Sequence, residues 1–288
     1  MSVTELCQPP RSETKTPKLA VPKLACDCHS HILGPAAQYP YTPNRSFTPP
    51  DALIPEYLAM RHTLGLERTV VVQASVYGSD NRCTASAVKE MGFGRTRGIA
   101  MVDENVNKEM LRALDACGIR GTRFITTVKG GPSLDNLPGV ARKIAEFGWH
   151  IEMYVPRHLW QQLFPVLKTL PVPVVFDHMG GLSADTTDGD PDLKGILALL
   201  ELGKCWVKLC GYRASLTGHP YADVAPLGRR FVTRAPERCV WGTDWPHTTM
   251  TGYMPDDGDL MDLLLDWAPD EATRKRILVD NPAVLYGF

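Results

Sequence analysis

The chain has 288 residues, 44% of them hydrophobic and 22% charged, and a formal net charge of −1. That length suits one large α/β barrel or two ordinary domains, with ample material for a core. The near-zero charge gives no electrostatic case for nucleic acid or a membrane surface. No apolar run approaches the roughly 20 residues that cross a bilayer.

Residues 1–24 are rich in Pro, Lys and Thr, lack the apolar stretch of a secretory signal and read as a flexible N-terminal arm. Residues 25–288 read as one catalytic domain. The eight cysteines are scattered through the chain, so reduced thiols in a cytoplasmic protein are expected.

Eight short β-rich runs then follow: 25–31, 69–74, 98–102, 118–124, 150–155, 172–178, 205–210 and 238–244. Helical patterns separate most of them, at 81–91, 107–117, 134–147, 157–170, 190–202, 222–234, 259–267 and 271–279. Asp80 is positioned to cap the first, and Gly118, Gly148 and Gly203 follow the ends of three others. Eight strand–helix alternations in about 250 residues match a single (β/α)8 barrel of the TIM type. An open doubly wound sheet fits less well, because no strand is followed by a Gly-rich phosphate turn.

In a barrel, chemistry sits at the C-terminal ends of strands. The first strand ends Asp27-Cys28-His29-Ser30-His31, and alternation puts Asp27, His29 and His31 on one face with Cys26 and Cys28 on the other. A Pro-rich loop follows, where Tyr39 and Tyr41 are candidates for an aromatic wall over the mouth. Later strands end in Ser75, Arg123, Tyr154, His178, Arg213 and Asp244. His29, His31, His178 and Asp244 form the proposed catalytic core, with Asp244 as general base. Neutral imidazoles with a carboxylate suit one divalent ion, zinc or manganese. They suit equally a metal-free cluster donating hydrogen bonds to a substrate carbonyl. Arg123, Lys129 and Arg213 are candidate clamps for a substrate anion, with Tyr154 and Ser75 as neutral donors. The alternative for Arg123 is an ion pair inside the barrel, and for the other two a solvated loop charge. His247, just past the eighth strand, either holds its loop or reaches the substrate. His62, His158 and His219 read as surface residues, and Asp256-Asp257-Gly258-Asp259 as a helix start rather than a calcium loop.

Several segments together resemble the amidohydrolase superfamily, in the branch of pyrone dicarboxylate lactonase, sulfomuconolactone hydrolase and galactarolactone isomerase. They are Asp-Cys-His-Ser-His at 27–31, Val-Phe-Asp-His-Met-Gly at 175–180, Trp-Gly-Thr-Asp-Trp-Pro-His at 241–247 and the terminal Asn-Pro-Ala-Val-Leu-Tyr. The resemblance implies hydrolysis of a small carboxylated or sulfonated lactone in aromatic-compound catabolism. The alternatives it implies are a sugar-acid lactone isomerase and a metal-dependent decarboxylase. Its implied partner is a small anionic lactone, and a homo-oligomer is compatible with it. The bridging residue of two-metal members is absent from the fourth strand, which ends in Arg123, and the fifth ends in Tyr154. At most one metal is therefore expected. Gly181 and Lys129 stand where the dicarboxylate lactonase pattern has arginines, and Asp244 stands where the isomerase pattern has Asn.

Overall fold

The computed structural model describes residues 5–288 and contains eight parallel strands: β1 (Cys26–Ser30), β2 (Arg68–Val72), β3 (Thr96–Ala100), β4 (Ile119–Ile125), β5 (His150–Tyr154), β6 (Val174–Phe176), β7 (Cys205–Leu209) and β8 (Cys239–Trp241). They pair in sequence order, each with the next, from β1 to β8. The seam between β8 and β1 closes just beyond the strand ends. There His31 N donates to the Trp245 carbonyl (2.8 Å) and Asp244 N donates to that of His29 (2.8 Å). The barrel is thus stitched at the residues that carry its candidate chemistry.

The expected helices are present with ends moved by a few residues: α2 (Arg82–Met91), α3 (Lys108–Ala116), α4 (Leu137–Ile144), α5 (Trp160–Thr169), α6 (Pro191–Glu201), α7 (Ala225–Arg234) and α8 (Asp257–Trp267). Asn107 and Asp190 cap their helices by accepting backbone N–H groups, and Asp256 does the same for α8, which confirms that segment as a helix start. The final segment folds as α9 (Glu271–Lys275), one π turn and α10 (Asn281–Tyr286). One helix was not expected: α1 (Ile54–Thr63). Its start signal is Pro55 in the first turn with Glu56 beside it, masked by the Pro-rich loop that precedes it.

Residues of the arm, expected to be flexible, run along the barrel. Glu5–Leu6 pairs with Phe47–Thr48, Lys15 N donates to Asp256, and Leu19 N donates to Asp262.

Two apolar layers hold the barrel. The larger lies between strands and helices, where Phe124, Ile151, Phe176 and Trp241 pack with Leu111, Trp160, Phe231 and Leu264. A smaller one joins Cys26, Cys28, Val70, Val72, Ile99, Val175, Trp206, Val240 and Tyr286. The parity expectation fails here, because Cys26 and Cys28 belong to this inner cluster while Asp27 reaches Tyr57 on α1. A pairing irregularity between Asp27 and Ser30 shifts the register and brings His29 and His31 into the mouth.

Candidate active site

The end of β1, the turn after β6 and the turn after β8 converge on one point. Asp244 Oδ1 lies 3.4 Å from His31 Nε2, 3.5 Å from His29 Nε2 and 4.0 Å from His178 Nε2. The other oxygen, Oδ2, accepts hydrogen bonds from Tyr212 and from Arg213 Nε. All four core residues are buried.

Local backbone aims these groups. β6 stops at Phe176 rather than at His178, and His178, Met179 and Gly180 follow with φ of 49°, 54° and 69°. Asp244 has φ of 64°. Non-glycine residues in this region cost free energy, and they persist where the surroundings impose them, often at functional sites. Asp27 helps impose this turn. Its carboxylate accepts from the backbone N–H groups of His29 (3.1 Å) and Thr243 (3.0 Å) and from the hydroxyls of Thr243 (2.8 Å) and Tyr57 (3.0 Å).

Electrostatics sort the roles. Burial alone would raise the Asp244 pKa, but Arg213 and the imidazoles outweigh it and hold the carboxyl well below its usual range. Burial pushes His178 down to about 3 and drives His29 well below its ordinary value, with Lys208 adding to the latter. At neutral pH the site is therefore an ionised carboxylate facing neutral rings.

Above the core is a cleft of about 400 Å³ lined by His31, Phe47, Ser75, Arg123, Tyr154, His178, Arg213 and Asp244, among others. Ser75 and Tyr154 thus lie where the sequence put them, and Tyr154 packs edge-on against His178 with ring centroids 4.7 Å apart. Arg123 and Arg213 also line the cleft, but neither is free. Arg123 Nε is 3.2 Å from Asp177 Oδ2, and Arg213 is paired with Asp244. Lys129 is exposed on its loop and does not line the cleft. His247 is turned away, with Nε2 3.0 Å from Asp257 Oδ1 at the start of α8. The aromatic wall is Phe47, and Tyr41 packs at a tilt against Tyr77 instead. His62, His158 and His219 are exposed, as expected.

Sequence reasoning missed the charged floor. Lys208 and Glu152 are fully buried, and Lys208 Nζ lies 2.6 Å from Glu152 Oε2 and 3.2 Å from Asp177 Oδ1. The signal was present: one Lys in Cys-Trp-Val-Lys-Leu and one Glu in His-Ile-Glu-Met-Tyr, on parallel strands that are ordinarily near-continuous apolar runs.

By distance the site could hold a divalent ion. His29, His31 and Asp244 offer ligand atoms within 4.8 Å of one another, as do His29, Asp177 and His178, and His178, Cys210 and Asp244. Charge opposes it. Of the buried carboxylates at the site, Glu152, Asp177 and Asp244 already match three cations (Lys208, Arg123, Arg213), Asp27 is taken up by four hydrogen-bond donors, and the Lys208 ammonium sits 3.0 Å from His29 Nδ1. A dication here would be left uncompensated in a buried cluster. The donor set fits an ion by spacing and not by electrostatics.

The amidohydrolase family model matches residues 26–288, nearly the whole chain. The chain belongs to the amidohydrolase family. Within it, the chain is similar to a 4-sulfomuconolactone hydrolase of Hydrogenophaga intermedia, at 36% identity over 100% of this chain and 96% of that one. It is 38% identical to a 2-pyrone-4,6-dicarboxylate hydrolase of Comamonas testosteroni, covering 94% and 92%. It is also 34% identical to a D-galactarolactone isomerase of Agrobacterium fabrum, covering 94% and 93%. Among the described residues of this amidohydrolase, no helix is long and apolar enough to cross a membrane.

Proposed function

We propose that this amidohydrolase opens the ring ester of a small anionic lactone, carboxylated or sulfonated, of the kind formed in aromatic-compound breakdown. The observation that carries the reading is the ionised oxygen, Asp244 Oδ1, faced by the imidazoles of His29, His31 and His178 at the floor of a cleft. The names of the two hydrolase relatives support the substrate class.

In this reading Asp244 takes a proton from water as the water oxygen attacks the lactone carbonyl. The carbonyl oxygen gains the electron pair and becomes an oxyanion, stabilised by imidazole N–H groups that are already in place. Collapse of the tetrahedral intermediate breaks the ring C–O bond, and Asp244 returns its proton to the departing alkoxide. The remaining guanidinium N–H groups of Arg123 and Arg213, with Ser75 and Tyr154, hold the substrate's anionic group. Because the site disfavours a dication, no step needs one. Buried free thiols such as Cys26, Cys28, Cys205 and Cys239 support a reducing compartment, the cytoplasm.

A sugar-acid lactone isomerase is the second reading, favoured by the relative of that name. Turnover of a lactone panel in H₂¹⁸O separates the two. Hydrolysis places one ¹⁸O in the product carboxylate, whereas ring migration places none. Metal analysis of the same active sample tests whether an ion is required, and stoichiometric zinc or manganese with activity lost on chelation would overturn the metal-free reading.

A further inference from the structure

Lys208 Nζ lies 3.0 Å from His29 Nδ1, deep in the barrel and below the reacting groups. The carboxylates of Asp177 and Glu152 outweigh burial and keep the ammonium charged. An ammonium has three N–H donors and no lone pair, so in this contact the ring nitrogen accepts. A neutral imidazole that accepts at Nδ1 carries its proton on Nε2. His29 Nε2 is buried, has no hydrogen-bond partner within the protein and lies 3.5 Å from Asp244 Oδ1. The one neighbour that would favour the opposite tautomer, Asp177 Oδ1, is farther from Nδ1 than the ammonium is, at 3.5 Å.

We propose that Lys208 is a positioning residue that locks His29 in its Nε2–H form, so that the site presents a fixed neutral donor to a substrate oxygen and no lone pair to a cation. The neighbouring ring is locked the other way. His31 Nδ1 is 2.7 Å from the Val72 carbonyl and must donate to it, so that in the neutral ring Nε2 is an acceptor. Two adjacent imidazoles on one strand end thus become a donor and an acceptor, each set by its partner one layer below. That the oxygen belongs to a lactone rests on the hydrolase reading, whereas the tautomer does not.

The test is ¹⁵N NMR of histidine-labelled protein without substrate, with the His29 signals assigned through His29→Gln. The expected result is a protonated Nε2 and an unprotonated, hydrogen-bonded Nδ1. A proton on Nδ1 overturns the proposal whatever the enzyme's activity. Lys208→Met removes the donor and the charge. Lys208→Met/Glu152→Gln does so while keeping the floor neutral, and serves where the single variant does not fold. The expected outcome is loss of the fixed Nε2–H signature and a kcat about 100-fold lower with KM changed less than about threefold, the size of effect that outer partners of catalytic groups commonly have. An unchanged tautomer, or a shifted tautomer with unchanged kcat, overturns it. Zinc alone, added to the wild-type protein and bound stoichiometrically in a way that His29→Gln abolishes, also overturns it, because that binding needs the Nε2 lone pair.

Discussion

His31 Nε2 lies 3.4 Å from Asp244 Oδ1, and its own proton is committed to the Val72 carbonyl on the other side of the ring. With the ring neutral, two acceptors face one another across the floor of the cleft. A molecule that brings two O–H protons, as water does, satisfies both at once. This is the geometry that the proposed hydrolysis requires of the pair, with a water held between them and deprotonated by Asp244.

Asp244→Asn keeps the size and one acceptor oxygen but removes the base. Hydrolysis should fall at least about 1,000-fold, since general-base and electrostatic contributions are lost together. Far-UV circular dichroism should be unchanged. Turnover within tenfold of wild type would remove Asp244 from the mechanism.

Arg213 sets the pH range of that base. With Arg213 holding its pKa well down, Asp244 stays ionised through mildly acidic pH. His29 and His178, neutral because burial lowers their pKa values, add no step near 6.5. In Arg213→Met the carboxyl pKa rises, so the acid limb of the kcat/KM profile should move to higher pH by a unit or more, at roughly 1.4 kcal/mol per unit. Identical acid limbs in the two proteins would contradict the pairing.

Arg123 has one observed role, its pair with Asp177, and one proposed role, holding the substrate anion, and two measurements separate them. Its pair with Asp177 is buried on both sides, 3% and 0% exposed, so Arg123→Met should destabilise the fold by about 3 kcal/mol in urea unfolding. Adding Asp177→Asn should recover part of that loss. KM for an anionic lactone should rise in both variants, while that for an uncharged lactone should change little. Equal effects on the two substrates would leave Arg123 as a structural ion pair alone.

Gly242 lies where β8 meets β1. A Cβ there would come within 2.6 Å of His29 Cβ and 2.7 Å of its backbone nitrogen, which cannot yield without moving the catalytic strand. Gly242→Ala should cost about 1–3 kcal/mol and lower kcat sharply, with no change in any reacting group. A variant with normal Tm and kcat would show that the seam is softer than its packing implies.

Asp27 is a carboxylate whose titration should be visible in stability. Burial pushes its pKa up to about 6, against its four hydrogen-bond donors. A raised value means that the folded state binds the proton more tightly than the unfolded one. Its contribution is then most favourable below about pH 4 and is lost as pH rises through 6, a change on the order of 3 kcal/mol. The stability difference between wild type and Asp27→Asn should therefore shift toward the variant between pH 4 and 7. A pH-independent difference would refute this.

The sequence by itself determined the barrel and named the candidate reacting groups. Strand–helix alternation is local, written in runs of β-rich residues and in caps such as Asn107 and Asp190. The strand ends then name His29, His31, His178 and Asp244, because a parallel barrel brings those ends to one mouth. Only the tertiary structure decided which charges are free. Arg123, Arg213, Lys208, Glu152 and Asp177 lie on different strands and loops, and an ion pair between them is a property of distance across the barrel that no periodicity along one strand encodes. The same holds for Asp27, whose face was inverted by a single irregularity in pairing. Alternation predicts a side chain's direction only while the ladder is regular, and here it breaks where the active site is made.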